Sequence, residues 1–346
     1  PQPGDALDPD HSIANSTLLV REDGEAELSE PALDGDGLLA STPIDDCCVC
    51  GEPLHDSDRF WLINTRQLTS SARCANLDEP NFAIYLMHSC SRPCRVTIDY
   101  YLRTLATRRS AVVYVHGNRI PANEAIERGF SVHHKVKCAR TGNPIDWVIW
   151  SWPSNKQGIL MQDARIKASR TDGQGLYLAW LLRRHAESQV NTTLVGYSFG
   201  GRIITGALHA AAGGTLGGRE LPGEPVVGGP FDAGLVAPAV DSHWLTSHGY
   251  HRYATQNLER LVLMYNRRDA VLKRYWLIDR VRGRMALGYS GPTSFASRFD
   301  GTKLPVFARD CSPSIGLQHD ELDYYQKACH AGTEMAKLID DFFVNQ

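Results

Sequence analysis

Two short stretches of the sequence place a serine directly after Gly-Tyr. They are GYSFGG at residues 196–201 and GYSGPT at residues 288–293. A serine hydroxyl is a poor nucleophile at neutral pH and needs both a base beside it and an exposed position. A sharp G-x-S-x-G turn between a strand and a helix provides that exposure, because small residues let the backbone fold tightly. Ser198 lies in such a turn, whereas Pro292 replaces the second glycine of the other stretch.

The residues on either side of Ser198 fit the strand and the helix that this turn requires. The run TTLV at residues 192–195 is rich in β-branched and apolar residues, as a buried parallel strand is. After the turn, apolar residues recur at helical spacing up to the Gly pair at 213–214, which suits a helix C-terminus. We therefore predict strand, turn and helix around Ser198, and an ordinary loop around Ser290.

Other short apolar runs indicate the sheet that would position this serine. Two early strands are predicted in RFWLINTRQL and FAIYLMHS, and five more in SAVVYVHGN, DWVIWSWPSN, GLVAPAVD, RLVLMYNRRDAV and LPVFARD. Helical patterns separate several of these runs, which predicts an α/β fold with a mostly parallel sheet and helices on both faces. In such sheets the ligand site forms beyond the carboxyl ends of the strands.

At this point the sequence resembles the α/β-hydrolase superfamily. The resemblance rests on VVYVHGN as strand and oxyanion loop, GYSFGG as nucleophile elbow, LMYNRRDAV as the acid-bearing strand end, and the histidine of GLQHDELDYY. It spans about residue 58 to the C-terminus. More closely, VHGNR, WSWPS, GYSFGGRIITGALH and APAVD resemble a set of bacterial α/β hydrolases whose substrates are unassigned. The resemblance implies a fold and a catalytic class, and it does not extend to the acidic and Cys-rich N-terminal segments.

The superfamily orders its catalytic residues as nucleophile, acid and histidine. Ser198, Asp269 and His319 satisfy that order, and His319 stands in the loop after the last predicted strand. His319 would take the proton of Ser198, and Asp269 would orient the imidazole. Asp241 and Asp310 also close apolar runs and are alternative acids. A further alternative is that Asp269 caps a helix that begins at Ala270.

The oxyanion of an acyl-transfer reaction needs preorganised hydrogen-bond donors. By the resemblance, one donor would be the backbone N–H of Phe199, directly after the nucleophile. The second would come from the loop after VHG, at the backbone N–H of Asn118. Arg119 either lines the mouth of the site or is a solvated loop charge.

Charged residues are unevenly distributed along the chain. The formal net charge is −3, but residues 1–46 contain twelve acidic residues and one basic residue, Arg21. This segment is rich in Gly, Pro and Ser, so we predict a flexible N-terminal segment followed by a hydrolase domain at residues 47–346. The remainder is only mildly basic and has no basic stripe interleaved with aromatic residues, which argues against nucleic-acid binding. No apolar run is long enough to predict a transmembrane segment.

Cysteines concentrate in the entry region, residues 47–100. Six of the nine cysteines lie there, namely Cys47, Cys48, Cys50, Cys74, Cys90 and Cys94. Disulfides among them would indicate an oxidising compartment and favour a secreted or cell-envelope location. A structural zinc site would need four thiolates, usually in paired C-x2-C units. The spacings here fit that arrangement poorly, so we favour disulfides and predict no metal.

These observations predict a serine hydrolase that cleaves an ester or related acyl bond without a cofactor. Its substrate would be a small or lipid-like acyl compound. The alternative is a non-catalytic binding protein on the same scaffold, because fold does not imply function. The segment of about fifty residues between the elbow helix and the acid-bearing strand, which begins with a Gly-rich stretch, would form either a lid or an ordinary loop.

Overall fold

The computed structural model of the protein describes residues 57–87, 92–158, 160–279 and 283–340. The predicted acidic segment and Cys47, Cys48, Cys50 and Cys90 lie outside the described residues. Within them, no helix combines the length and the apolar character needed to cross a membrane.

The described residues form a nine-stranded sheet with the order β3-β2-β1-β5-β4-β6-β7-β8-β9. Its strands are β1 (Arg59–Asn64), β2 (Ala83–Met87), β3 (Cys94–Val96), β4 (Ser110–Val115), β5 (Asp146–Ser151), β6 (Asn191–Tyr197), β7 (Phe231–Val236), β8 (Leu258–Tyr265) and β9 (Val306–Asp310). β2 runs antiparallel to both of its neighbours, and every other pairing is parallel. The carboxyl ends of β4, β6 and β8 therefore lie at one edge, where a ligand site is expected.

The chain between the strands is mostly helical. The helices are α1 (Ile98–Ala106), α2 (Ala122–Lys137), α3 (Leu160–Glu187), α4 (Phe199–Ala211), α5 (Trp276–Asp279), α6 (Leu287–Ser290), α7 (Ser312–Ile315), α8 (Glu321–Gln326) and α9 (Ala331–Asp340). Short 3-10 turns lie at Ala72–Cys74, Ala254–Asn257 and Leu272–Arg274.

The strand register shows that helices cover both faces of the sheet. Tyr114 lies in the middle of β4, and its hydroxyl donates a 2.8 Å hydrogen bond to Glu321 of α8. Side chains alternate between the two faces along each strand, so Trp150 of β5, one position further along the register, faces the opposite side. Its Nε1 donates a 3.2 Å hydrogen bond to Gln174 of α3. Every residue of β4, β5 and β7 is buried, as expected for strands covered on both faces. The predicted α/β fold class, a mostly parallel sheet with helices on both faces, is thus confirmed.

Two local predictions are wrong. Ser290 is the last residue of the short helix α6, not part of a loop, because residues 287–290 close one helical turn before Gly291 adopts a φ of 79°. Asp241 does not end a strand, because β7 stops at Val236 and the chain turns through Pro238 before reaching it.

The cysteine prediction is tested in part by the described residues. Cys74 is an exposed free thiol at the end of a 3-10 turn, so the prediction that it belongs to the disulfide set is wrong. Its turn packs beside α3, where an added Cβ on Gly173 would meet the Ser70 carbonyl at 2.5 Å. Cys94 lies on β3 and is not a free thiol, but its partner falls outside the described residues. The remaining pairings stay predictions.

Candidate active site

Ser198 lies on a strained turn between β6 and α4. Its backbone has φ 52° and ψ −116°, an unfavourable conformation for a residue with a side chain. The glycines of the motif make this turn possible. A Cβ on Gly196 would lie 2.9 Å from the Gly201 nitrogen, and a Cβ on Gly200 would lie 2.0 Å from the carbonyl oxygen of Val115. The G-x-S-x-G spacing therefore brings the start of α4 into direct contact with the end of β4.

Three side chains predicted from the sequence form a chain of hydrogen bonds at this turn. Ser198 Oγ lies 3.0 Å from His319 Nε2. On the other side of the ring, His319 Nδ1 lies 2.6 Å from Asp269 Oδ2. The Asp269 carboxylate is fully buried, and the Ser198 residue is 6% exposed. This is the geometry in which an imidazole can take a proton from a hydroxyl while a carboxylate orients it.

Asp269 makes hydrogen bonds through both carboxylate oxygens, but the helix predicted to begin at Ala270 is replaced by the 3-10 turn at Leu272–Arg274. Its Oδ1 accepts hydrogen bonds from the backbone N–H groups of Val271 at 2.9 Å and Leu272 at 2.8 Å. Its Oδ2 faces His319. One carboxylate oxygen therefore caps the 3-10 turn while the other holds the imidazole, so the capping bonds fix the direction of the second oxygen.

The other two candidate acids lie in different surroundings. Asp241 accepts from the backbone N–H of His243 at 2.9 Å and lies 3.5 Å from the Arg284 guanidinium. Asp310 accepts a 2.9 Å hydrogen bond from the backbone N–H of Ser312 and is also bonded to its hydroxyl. Each carboxylate organises a local turn, and neither is hydrogen-bonded to His319.

Two backbone N–H groups are available beside Ser198. Phe199 is the first residue of α4, and the N–H of a first helical residue has no intrahelical acceptor. Asn118 follows the His-Gly turn after β4, and its backbone N–H donates to no group in the described part of the chain. Both residues line the same cavity as Ser198. The resemblance implies these two N–H groups as oxyanion donors, and that role stays a prediction.

The loop that carries Asn118 is anchored by α3. Asn118 Nδ2 donates a 3.1 Å hydrogen bond to Asp163 Oδ2. The other oxygen of Asp163 accepts from the backbone N–H of Gln157 at 2.8 Å and from Lys167 Nζ at 3.3 Å. Asp163 and Lys167 are fully buried, so this ion pair is shielded from water and holds the loop firmly.

The segment after β5 anchors the same loop from a second side. Trp152 Nε1 donates to the His116 carbonyl at 2.9 Å. Ser154 Oγ and Arg66 both donate to the Ile120 carbonyl, at 2.8 Å and 3.1 Å. Trp152 and Ser154 belong to the WSWPS motif, which the sequence marked without a role.

His116 is a structural residue of this anchor. Burial, and then the nearby Arg66 guanidinium, hold the pKa of His116 well below its ordinary value, so the ring is neutral. Its Nδ1 lies 2.9 Å from the Gly117 carbonyl and donates to it, while Nε2 accepts from the backbone N–H of Trp152 at 3.3 Å. Through these two hydrogen bonds the ring stabilises the turn that precedes Asn118.

Ser198 and His319 open into a cavity of about 510 Å³. This size is within the range of small-molecule sites. One wall is apolar and consists of Ala164, Ala239, Val271, Leu272, Tyr275 and Ile278. Arginine and carboxylate side chains also line the cavity.

The Gly-rich stretch after α4 does not cover this cavity. Val226 donates its backbone N–H to the Ala211 carbonyl at 2.8 Å, at the end of α4 remote from Ser198. Gly228 bonds to the Gln256 carbonyl at 3.1 Å. Of the two alternatives, the structure favours an ordinary loop over a lid.

A buried carboxyl lies two residues beyond His319. Glu321 is 1% exposed, accepts from the Tyr114 hydroxyl at 2.8 Å, and lies 3.9 Å from Arg128. Burial raises the pKa of Glu321 to about 8, against the smaller opposing effects of Tyr114 and Arg128. This group was not identified from the sequence, where GLQHDELDYY gives no sign that Glu321 faces inward while Asp320 is exposed.

In the part of the chain that the structure describes, no cluster of three or more metal-ligating side chains occurs. No protein-family model matches the chain, and no curated protein sequence matches it significantly.

Several solved structures show weak overall similarity. An inhibited esterase B from Lactobacillus rhamnosis is 15% identical, with a TM-score of 0.36 over 68% of this chain and 78% of that one. The apo form of Thermogutta terrifontis esterase 2 is 12% identical, with a TM-score of 0.32 over 68% and 83%. The same esterase phosphorylated by paraoxon is 12% identical, with a TM-score of 0.34 over 68% and 82%. The activities of those proteins are not transferred to this chain.

Replacing Asp269 by Asn should separate its two roles. The amide oxygen can still accept the capping hydrogen bonds, but the amide nitrogen facing His319 favours the wrong imidazole tautomer. We expect kcat for an activated acyl ester to fall by about 10⁴, as in the serine-protease precedent. The melting temperature should change little, because the cap is kept.

Asp241→Asn and Asp310→Asn are the matched controls for this experiment, and each should keep kcat within a few-fold of the unmodified protein. Full activity of Asp269→Asn together with collapse of either control would move the acid to that residue.

The raised pKa of Glu321 predicts a pH-dependent stability. Between its ordinary value of 4.5 and about 8, the folded state keeps a proton that the unfolded state has lost. The free energy of unfolding therefore falls as the pH rises through this window. Glu321→Gln removes that loss, so its melting temperature relative to the unmodified protein should rise from about pH 5 to about pH 9. Glu187→Gln, at an exposed position of α3, should show no such trend. A pH-independent difference for Glu321→Gln would contradict the assignment.

Proposed function

We propose that this protein is a serine hydrolase that cleaves a carboxylic ester or related acyl bond. The observation that carries the proposal is the hydrogen-bonded series Asp269, His319 and Ser198 at the floor of a partly apolar cavity. The nucleophile and the base lie within the distance that proton transfer requires, and the orienting carboxylate is hydrogen-bonded to the base.

In the first half of the proposed reaction, Ser198 Oγ attacks the acyl carbon while His319 Nε2 takes the hydroxyl proton. The negative charge that develops on the carbonyl oxygen is stabilised by the backbone N–H groups of Phe199 and Asn118. Asp269 stabilises the imidazolium that forms. Collapse of the tetrahedral intermediate expels the alcohol, which leaves with the proton from His319.

In the second half, water attacks the acyl group on Ser198 and His319 acts again as the base. The carboxylic acid leaves, and Ser198 recovers its proton. The chemistry uses no cofactor or metal. The apolar wall favours a substrate with a hydrocarbon part, and the size of the cavity suits a small molecule.

The two serines that follow Gly-Tyr provide a matched test. Ser198→Ala should abolish labelling by a fluorophosphonate probe and lower kcat for an activated ester by several orders of magnitude, with the melting temperature retained. Ser290→Ala should label and turn over as the unmodified protein does, since Ser290 Oγ donates to the Gly291 carbonyl at 3.2 Å and is hydrogen-bonded to no base among the described residues. If the unmodified, folded protein is not labelled, the alternative of a non-catalytic binding protein is favoured instead.

A further inference from the structure

The side chains that line the cavity carry more positive than negative charge. Its charged lining residues are Arg119, Glu124, Arg128, Arg274 and Asp320. Both carboxylates are paired with the same guanidinium. Arg128 Nε lies 2.7 Å from Glu124, and Arg128 NH1 lies 3.9 Å from Asp320. Arg128 thus has two carboxylate partners, and neither carboxylate forms an ion pair with the other two arginines.

Arg119 and Arg274 have no carboxylate within ion-pair distance in the part of the chain that the structure describes. Arg274 is exposed and donates to the Ala270 carbonyl. Arg119 is half-buried, and no described group accepts a hydrogen bond from its guanidinium. The nearby Asp163 is committed to Lys167 and Asn118. A partly desolvated guanidinium without a counter-ion favours an anionic ligand.

The backbone of Arg119 is fixed on both sides. Asn118 before it is bound to Asp163, and the carbonyl of Ile120 after it is held by Ser154 and Arg66. Arg119 itself has a φ of 64°, in the left-handed region that non-glycine residues rarely adopt. The side chain therefore starts from a rigid position beside the proposed oxyanion donor. A preorganised cation binds an anion with less ordering cost than one on a flexible loop.

We propose that the site prefers esters that carry a carboxylate or phosphate on one arm, with Arg119 as the residue that binds this anion. The hydrocarbon arm packs against the apolar wall. This inference rests on the proposed serine hydrolase activity and narrows its substrate to anionic esters. Arg274, an exposed residue that lines the same cavity, adds to the positive potential that attracts such substrates.

Two matched substrate pairs test which arm carries the anion. The first compares mono-4-nitrophenyl glutarate with 4-nitrophenyl pentanoate, which differ in charge at the end of the acyl chain. The second compares the acetate ester of 4-hydroxybutyrate with butyl acetate, which differ in charge on the alcohol. We expect kcat/KM for the anionic member of one pair to exceed that of its neutral partner by about tenfold or more, as a charge-assisted hydrogen bond provides.

The Arg119→Gln variant should bring that ratio close to one, and raised salt should lower it in the unmodified protein. Arg103→Gln, at an exposed position of α1, is the control and should leave the ratio unchanged. Ratios near or below one in both pairs, or a preference that persists in Arg119→Gln, would overturn the proposal. Fluorophosphonate labelling of Ser198 in the same preparations separates the two failures. If Ser198 is labelled but the charge preference is absent, only the substrate class is refuted. If Ser198 is not labelled, the hydrolase activity itself is refuted.

A separate observation concerns the loop that carries His319. Cys311 directly follows β9, and Cys329 follows α8, so the two cysteines bracket that loop. Both are free and 1% exposed. Cys329 Sγ lies 3.9 Å from the Cys311 carbonyl oxygen, so the Cys329 thiol is next to the backbone of Cys311. A disulfide requires two cysteines that are close together in the fold, and this contact brings them together.

We infer that Cys311 and Cys329 form a disulfide when the chain folds in the presence of a small-molecule disulfide such as oxidised glutathione. One cysteine thiolate attacks a glutathione sulfur and releases the first glutathione thiol. The second cysteine then attacks the mixed disulfide and releases the other. The two thiols lose their protons, and their two electrons reduce one glutathione disulfide. Because both sulfurs are buried in the folded protein, the exchange takes place during folding.

Refolding the full chain in a glutathione redox buffer tests this site. Free thiols are then alkylated, and the tryptic peptides are analysed without reduction by mass spectrometry. We expect a linked pair of peptides containing Cys311 and Cys329, absent after refolding with reductant, and alkylation of Cys138 as the exposed control thiol. Alkylation of both Cys311 and Cys329 after oxidative refolding, or pairing of either with another cysteine, would overturn the inference.

Discussion

The contact between the start of α4 and the end of β4 is the constraint on which the candidate site depends. Gly200 lies so close to Val115 that a single added carbon would approach its carbonyl oxygen to 2.0 Å. That approach brings the residues that follow the two elements, Phe199 and Asn118, into the lining of the cavity that Ser198 also lines. The strained backbone of Ser198 is tolerated because the parallel pairing of β6 with β4 and β7 fixes the strand that leads into the turn.

The rest of the site is held by polar groups that do not face the cavity. Asp269 is aimed at His319 because its other oxygen caps a turn. The loop of Asn118 is held by a buried ion pair on α3 and by side chains after β5. The geometry of the site therefore rests in part on groups, such as the Leu272 N–H and the Ser154 hydroxyl, that are hydrogen-bonded to neither the imidazole nor the serine. Such support is what keeps a functional group within the narrow limits that catalysis requires.

The sequence predicted every strand except β3, because most strands of this sheet are apolar runs, whereas β3 is only three residues long. It also selected Ser198, Asp269 and His319 from their chain order, and the structure places these side chains within hydrogen-bonding distance, although their catalytic roles remain a prediction. It could not predict the anchors. Asp163 and Lys167 look like an ordinary charged pair on a helix, and their burial depends on the long-range packing of α3. The motif WSWPS was recognised, but the role of Ser154 follows only from the position of the Ile120 carbonyl.

The central claim is that Ser198 carries the acyl group between the two halves of the reaction. The most direct measurement is to mix the protein with a 4-nitrophenyl ester, quench with acid within the first turnover, and map the acylated peptide by mass spectrometry. The account predicts a burst of nitrophenol close to one equivalent of protein and an acyl group on Ser198. Hydrolysis without any acylated residue, or an acyl group on a different side chain, would contradict it.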